Sequence, residues 1–343
     1  MSRNVFLIQT PLQALNAIEA AYAFGFEPSD AVVICAESPL EINNRQTARM
    51  LADEKWGAVH VIPHHGVTLS DWLGRMRSLN SVARDLPDCE HVFLGDYGFD
   101  LARHFCFRVQ PHRVVLLDDG NATLNVARTR VNPLEAKYFL NPPFTTRRKV
   151  RLKRLLGMRD HLADHLTYFT VYDLHAERGD RIVNNTYERL RARSTLEVDE
   201  NTVFFLGTTT AEAEGVGDDR YLEIVSRALT YLGNFANVYY LPHRREDPLR
   251  LARLERELGV SVKQFDAPVE YGLCSLSDRL PALVAGFPTS AFVNLQVLFG
   301  DRIRLKVFPI ELTDSFSLAV FSEVYAYYRR HCEAPQFEIV SDF

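Results

Sequence analysis

Three short clusters carry side chains suited to group transfer. Asp118-Asp119-Gly120 follows the apolar run Val114-Val115-Leu116-Leu117. Adjacent carboxylates repel, which raises the pKa of one of them. A carboxylate of that kind suits a general base that takes a proton from a sugar hydroxyl. A Mg²⁺ ligand pair and a plain Asp-Gly turn are the alternative readings. His243-Arg244-Arg245 follows Val238-Tyr239-Tyr240-Leu241 and Pro242. An imidazole and two guanidinium groups there can neutralise a phosphate leaving group, or they form a polar loop before a helix. Gly286-Phe287-Pro288-Thr289-Ser290 sets two hydroxyls at a helix start, which makes either a phosphate cradle or an ordinary N-cap.

Four further stretches hold candidates by place. Glu270, between the second and third clusters, could accept from ribose hydroxyls or sit on a surface helix. Thr10 and Gln13 leave the first apolar run in Gln9-Thr10-Pro11-Leu12-Gln13 and could meet a donor sugar, or serve as a cap and a helix face. Asp96 and Tyr97, in Gly95-Asp96-Tyr97, end another run and could meet an acceptor, or form a turn. His64-His65 has metal-ligand chemistry, but no third ligand is placed nearby, so a loop is the reading and no metal is expected.

These residues need a scaffold that brings them to one edge. Val5-Phe6-Leu7-Ile8 reads as a strand buried on both faces. Thr10-Pro11 then starts a helix that Gly25 ends. Strands over 31–36, 59–62, 91–94 and 114–117 alternate with helices over about 44–54, 70–86 and 99–107. That alternation predicts βαβ units and a parallel sheet. The stretch 127–200 is less regular, and its polar part, 178–200, reads as a linker. Alternation resumes with strands at 202–206, 238–241, 261–265, 283–286 and 304–308 and helices over about 219–232, 248–258 and 315–330. The chain of 343 residues exceeds one ordinary core. The expected class is therefore α/β, with two Rossmann-like domains, 1–190 and 191–343. In open α/β sheets ligands lie beyond the carboxyl ends of the strands, where the clusters fall.

A net charge of -5 leaves no global positive field for nucleic acid. The segment 145–160 is locally basic, with Arg147, Arg148, Lys149, Arg151, Lys153 and Arg154 among leucines. It reads as a solvated amphipathic helix, or as a patch for an anionic membrane or a polyanionic acceptor. The five cysteines are odd in number and form no CxxC pair, so reduced, buried thiols are expected. No run approaches the ~20 apolar residues of a spanning helix. The expectation is a cytoplasmic protein, with peripheral contact at the inner membrane surface as an option.

Taken in order, Thr10-Pro11-Leu12-Gln13, Asp118-Asp119-Gly120, His243 and Thr289-Ser290 resemble the motifs of the bacterial GT-B sialyltransferase and α-2,8-polysialyltransferase group. The resemblance runs from residue 5 to about 300. It implies the GT-B fold with a central cleft, and a last helix, about 315–330, able to cross back to the first domain. It implies an inverting, metal-independent glycosyltransferase that needs no cofactor and uses a CMP-activated sugar and a glycan acceptor in capsule or lipooligosaccharide synthesis. Asp119, or failing it Asp118, would be the base. His243 would neutralise the phosphate with Arg244 or Arg245, Thr289 and Ser290 would bind it, and Glu270 would hold the ribose. In the group a Pro follows the His. Here Pro242 precedes His243 and Arg244 follows it, which widens the donor to Kdo and to legionaminic- or pseudaminic-type sugars. A UDP-sugar enzyme of the same fold, such as an epimerase, and a non-catalytic glycan-binding protein are the competing readings.

Overall fold

A computed structural model describes residues 3–343 apart from 87, 132–146, 160–162, 177–178, 195, 210–215, 234, 311–314, 333 and 342; the side chains of 3, 131, 147–150 and 315–320 are also outside the description. The chain divides into two units, Met1–Glu188 and Arg189–Phe343.

The first unit holds β1 (Arg3–Ile8), β2 (Ala31–Ala36), β3 (Ala58–Ile62), β4 (Cys89–Leu94), β5 (Arg113–Leu117), β6 (Thr167–Thr170) and β7 (Arg181–Asn184). They form one sheet in the order β3-β2-β1-β4-β5-β6-β7, and every pair is parallel. Successive side chains of a strand point to opposite faces, so the apolar run of β1 feeds two cores. Val5 and Leu7 join Val92, Leu94 and Leu116 on one face. On the other, Phe6 stacks on Phe93 with ring centroids 4.3 Å apart. Chain order reverses between β1 and β4, which makes that junction the switch point of the sheet.

The second unit holds β8 (Val198–Leu206), β9 (Asn237–Leu241), β10 (Ser261–Val262), β11 (Leu280–Gly286), β12 (Arg304–Val307) and β13 (Phe337–Ile339). Its order is β10-β9-β8-β11-β12-β13, again wholly parallel. The switch point lies between β8 and β11. Val203, Phe205, Leu283 and Ala285 pack against the helix Asp218–Leu232 through Tyr221, Val225 and Ala228.

Several expectations change. The stretch 178–200 is no bare linker: it contains β7, the helix Glu188–Arg193 and the start of β8. β7 escapes the sequence pattern because it is an edge strand with exposed Arg181 and Asn184. β6 escapes it because threonines flank its two aromatic residues, although all four side chains are buried. The basic segment forms the helix Arg147–Leu155, but Lys153 turns inward to an ion pair with Asp100 at 2.8 Å, so it is no part of a solvated face. The late helix ends at Tyr327 and passes into a π-helical turn, Tyr328–Cys332. All five cysteines are free, with Cys106 half-buried and the others buried. No helix among the described residues is long and apolar enough to cross a membrane.

Candidate active site

In the first unit the candidates gather at the carboxyl ends of β1, β4 and β5. Thr10 caps the helix Pro11–Ala23, accepting from the Gln13 backbone N–H at 3.3 Å. Gln13 is fully buried. Its Oε1 accepts from the Gln9 N–H at 2.7 Å, and its Nε2 finds no partner among the described residues. The side chain lies across Gly95, the first residue after β4, where an added Cβ would overlap it. Glycine after β4 therefore leaves Gln13 its place. Asp96 is half-buried and accepts from the Gly98 N–H at 2.7 Å. Burial pushes its pKa up, against that bond and the Arg103 guanidinium. Tyr97 turns into the core at 3% exposure, and its hydroxyl accepts from the Ala163 N–H at 2.9 Å. It belongs to the packing under the site and has little surface to offer an acceptor.

The carboxylate pair splits into two environments. Asp118 is 2% exposed. Its Oδ2 accepts from the Val171 N–H at 2.7 Å, just past β6. Burial raises its pKa to about 6, although the Thr170 hydroxyl, that N–H and the Thr123 hydroxyl oppose the shift. Asp119 is half-buried, with its N–H bonded to Thr123 Oγ1 at 3.2 Å. Gly120 follows at φ 62°, a left-handed turn that glycine adopts without strain. Asn16, which no sequence motif marks, ties the group together. Its Nδ2 donates to the Asp118 carbonyl at 2.9 Å, while its Oδ1 accepts from Asn185 Nδ2 at 3.1 Å and the Tyr187 hydroxyl at 3.0 Å. One buried amide thus links the exits of β1, β5 and β7. The available signal was an asparagine amid the apolar positions of a helix.

In the second unit the candidates gather at the carboxyl ends of β9 and β11. The loop after β9 is held by Glu246, which closes the His243 cluster in sequence and has no expected role there. Glu246 Oε1 accepts from the His243 N–H at 2.6 Å, and Oε2 accepts from the Tyr240 hydroxyl at 2.7 Å. The Tyr240 and Tyr221 hydroxyls lie 2.7 Å apart, and Tyr221 accepts from the Thr208 N–H at 3.3 Å. Gly207, the first residue after β8, leaves room for this chain: an added Cβ would overlap Glu246 Oε1 and the Tyr240 hydroxyl. Burial raises the Glu246 pKa to about 8, against the Tyr240 and His243 bonds.

His243 is half-buried. Burial, then the charges of Arg244 and Arg245, lower its pKa to about 3. The imidazole is therefore neutral at ordinary pH. Because the Arg245 N–H points at Nδ1 at 3.2 Å, the ring proton sits on Nε2, which is left to donate. Of the two forms expected for the ring, cation or donor, its burial and neighbours favour the donor, with positive charge left to the arginines.

Glu270 is 4% exposed, so it is not the surface helix residue that the plainer expectation had. Asn294 Nδ2 donates to its Oε1 at 2.6 Å. Burial raises its pKa against that bond and the nearby Arg244 charge. Asn294 stands in the helix Ala291–Phe299, whose N-cap is Ser290. Ser290 makes no side-chain capping bond, whereas Thr289 Oγ1 accepts from the Ala291 N–H at 3.5 Å, so the cap reading fails for Ser290 and holds for Thr289. The Thr289 carbonyl accepts from the Tyr328 hydroxyl at 2.6 Å. Arg244, Glu270 and the Thr289-Ser290 helix start are thereby linked through charge and through Asn294. A neutral donor, cationic groups and a helix N-terminus are the kinds of group that bind an anion.

No protein-family model and no curated protein matches the sequence. Solved structures do match. The GT-B domain of a sialyltransferase from Photobacterium damselae aligns over 99% of this chain and 100% of its own, at 12% identity and a TM-score of 0.53. A 2,6-sialyltransferase from Photobacterium sp. JT-ISH-224, solved with the donor product CMP and the acceptor lactose, aligns over 98% and 78%, at 12% identity and a TM-score of 0.50. A Listeria monocytogenes protein described as a UDP-N-acetylglucosamine 2-epimerase aligns over 94% and 82%, at 16% identity and a TM-score of 0.55. Identities this low speak for fold, and with the two parallel sheets they establish an α/β GT-B fold built from two Rossmann-like units.

Proposed function

We propose that the protein is an inverting glycosyltransferase that moves a sialic-acid-like sugar from a CMP donor to a glycan acceptor in surface polysaccharide or lipooligosaccharide synthesis. The observation that carries this reading is the grouping of His243, Arg244, Glu270, Thr289 and Ser290 at the strand ends of the second unit, with a neutral imidazole donor beside permanent cations. The motif order, the GT-B fold and a CMP-bound structural neighbour support it.

In the proposed step Asp119 takes the proton of an acceptor hydroxyl. The freed oxygen pair forms the new bond at the anomeric carbon as the bond to the CMP phosphate breaks, and CMP leaves with that electron pair. His243 Nε2–H and the Thr289 and Ser290 hydroxyls donate to the departing phosphate. Arg244 or Arg245 supplies charge, and Glu270 holds the ribose. A positioned base contributes roughly 10²–10⁴ in rate. A single phosphate matched by protein cations requires no metal, so EDTA is expected to leave turnover unchanged. The test is acceptor-dependent CMP release from CMP-sialic acid, assayed beside the Asp119→Asn variant; release in the variant at the wild-type rate would reject the assignment.

The likeness to a protein described as a UDP-N-acetylglucosamine 2-epimerase favours a second reading, a UDP-sugar enzyme of the same fold. Release of UDP or of an epimer without any acceptor would select it. Glycan binding without nucleotide binding would select a non-catalytic protein.

A further inference from the structure

The first unit carries a second feature, separate from the strand-end site. The helices Leu69–Arg84 and Arg147–Leu155 flank an open groove of about 750 Å³, lined in part by Val67, Leu69, Trp72, Arg151, Leu152 and Leu155. Its rim exposes large apolar side chains: Val67 is 95% exposed, Leu155 84% and Leu69 53%. Arg151 and Arg154 are exposed on the same short helix. Lys153 faces the other way, paired with Asp100. Among the described side chains of this helix, leucine and arginine are combined on the outward side.

We propose that this face docks the protein onto an anionic lipid bilayer. Apolar side chains that stand almost wholly in water at the tips of a loop and a helix are suited to the acyl boundary, and flanking arginines are suited to acidic headgroups. Charge complementarity alone would also admit a polyanionic glycan. Such a polymer would be held through cations and polar groups and would leave Val67, Leu69 and Leu155 without a role, so the bilayer accounts for more of the surface. The proposal concerns the first unit alone and stands apart from the nucleotide reading.

The test is flotation of the full chain with vesicles of phosphatidylcholine, alone or mixed with phosphatidylglycerol. The protein is expected to float with the mixed vesicles and to stay behind with the neutral ones. Val67→Glu with Leu155→Glu should abolish flotation. Arg151→Gln and Arg154→Gln should each lower partitioning about fivefold at low salt. These positions are exposed, so unchanged melting midpoints check that the variants fold. Failure of the wild type to float, or flotation of the Val67→Glu, Leu155→Glu double variant or of either arginine variant at the wild-type level, would overturn the proposal. So would retention on a soluble polyanionic glycan with no vesicle binding. None of these outcomes alters acceptor-dependent CMP release, which keeps the two readings separable.

Discussion

Glu246 Oε1 accepts from the backbone N–H of His243 at 2.6 Å, and the same carboxyl is bonded to Tyr240 at 2.7 Å. A buried acid thus fixes the loop that presents the imidazole, and Gly207 clears the space it needs. The carboxyl is a positioning group, and its burial has a pH signature.

The Glu246 pKa rises from 4.5 to about 8 on folding. A raised folded-state pKa stabilises fully below the unfolded value, and that contribution is lost as pH rises through the folded one. Stability of the second unit is therefore expected to fall between pH 4.5 and 8. Glu246→Gln keeps a neutral side chain that accepts from His243 N–H and donates to Tyr240, so most of the fall should vanish. Urea midpoints at pH 5 and 8 measure this. Asp118, with a pKa raised to about 6, leaves a smaller slope of its own in the first unit.

The two adjacent aspartates should separate cleanly. Asp119→Asn is expected to reduce transfer by roughly 10²–10⁴, with CMP affinity and melting midpoint retained. Asp118→Ala strands the Val171 N–H and should cost about 1–3 kcal/mol of stability, visible by chemical denaturation before any kinetic assay.

Two hydroxyls at helix starts should also part company. Thr10 caps its helix, and Thr10→Ala is expected to lose about 1 kcal/mol. Ser290 makes no capping bond, so Ser290→Ala should leave stability within about 0.5 kcal/mol and weaken CMP binding, as read by parallel denaturation and titration.

Much of the strand-end geography was legible in the residues. The apolar runs of β1, β2 and β5 and the Pro and Gly residues that punctuate them locate the carboxyl ends where Asp118, Asp119 and His243 stand. The groups that hold these residues were not legible, because Asn16, Glu246 and Asn294 act through partners distant in sequence or through burial. A glutamate three residues after His243 looks like surface charge until Tyr240 and Tyr221 close over it. β6 and β7 were hidden for a related reason: threonine flanks and an exposed edge erase the apolar run that marks a strand. Asp118 shows the limit of place alone, since it lies at the right edge and its carboxyl is turned to the Val171 N–H.

The His243 pKa of about 3 predicts a further behaviour. The depressed value means the imidazole carries no charge from pH 5 to 8, so the free protein should show no ionisation near 6.5 from this ring. Nitrogen-resolved NMR of His243 should report one neutral tautomer, protonated at Nε2, across that range.

The central claim is that the second unit is a CMP site in which His243 donates to phosphate. Calorimetry with CMP, UDP and GDP tests it most directly, on the wild type and on His243→Ala. CMP alone is expected to bind with measurable heat, and the variant should lose roughly tenfold or more in affinity, in keeping with a charge-assisted hydrogen bond. Preferential binding of UDP, or unchanged CMP affinity in His243→Ala, would contradict the account.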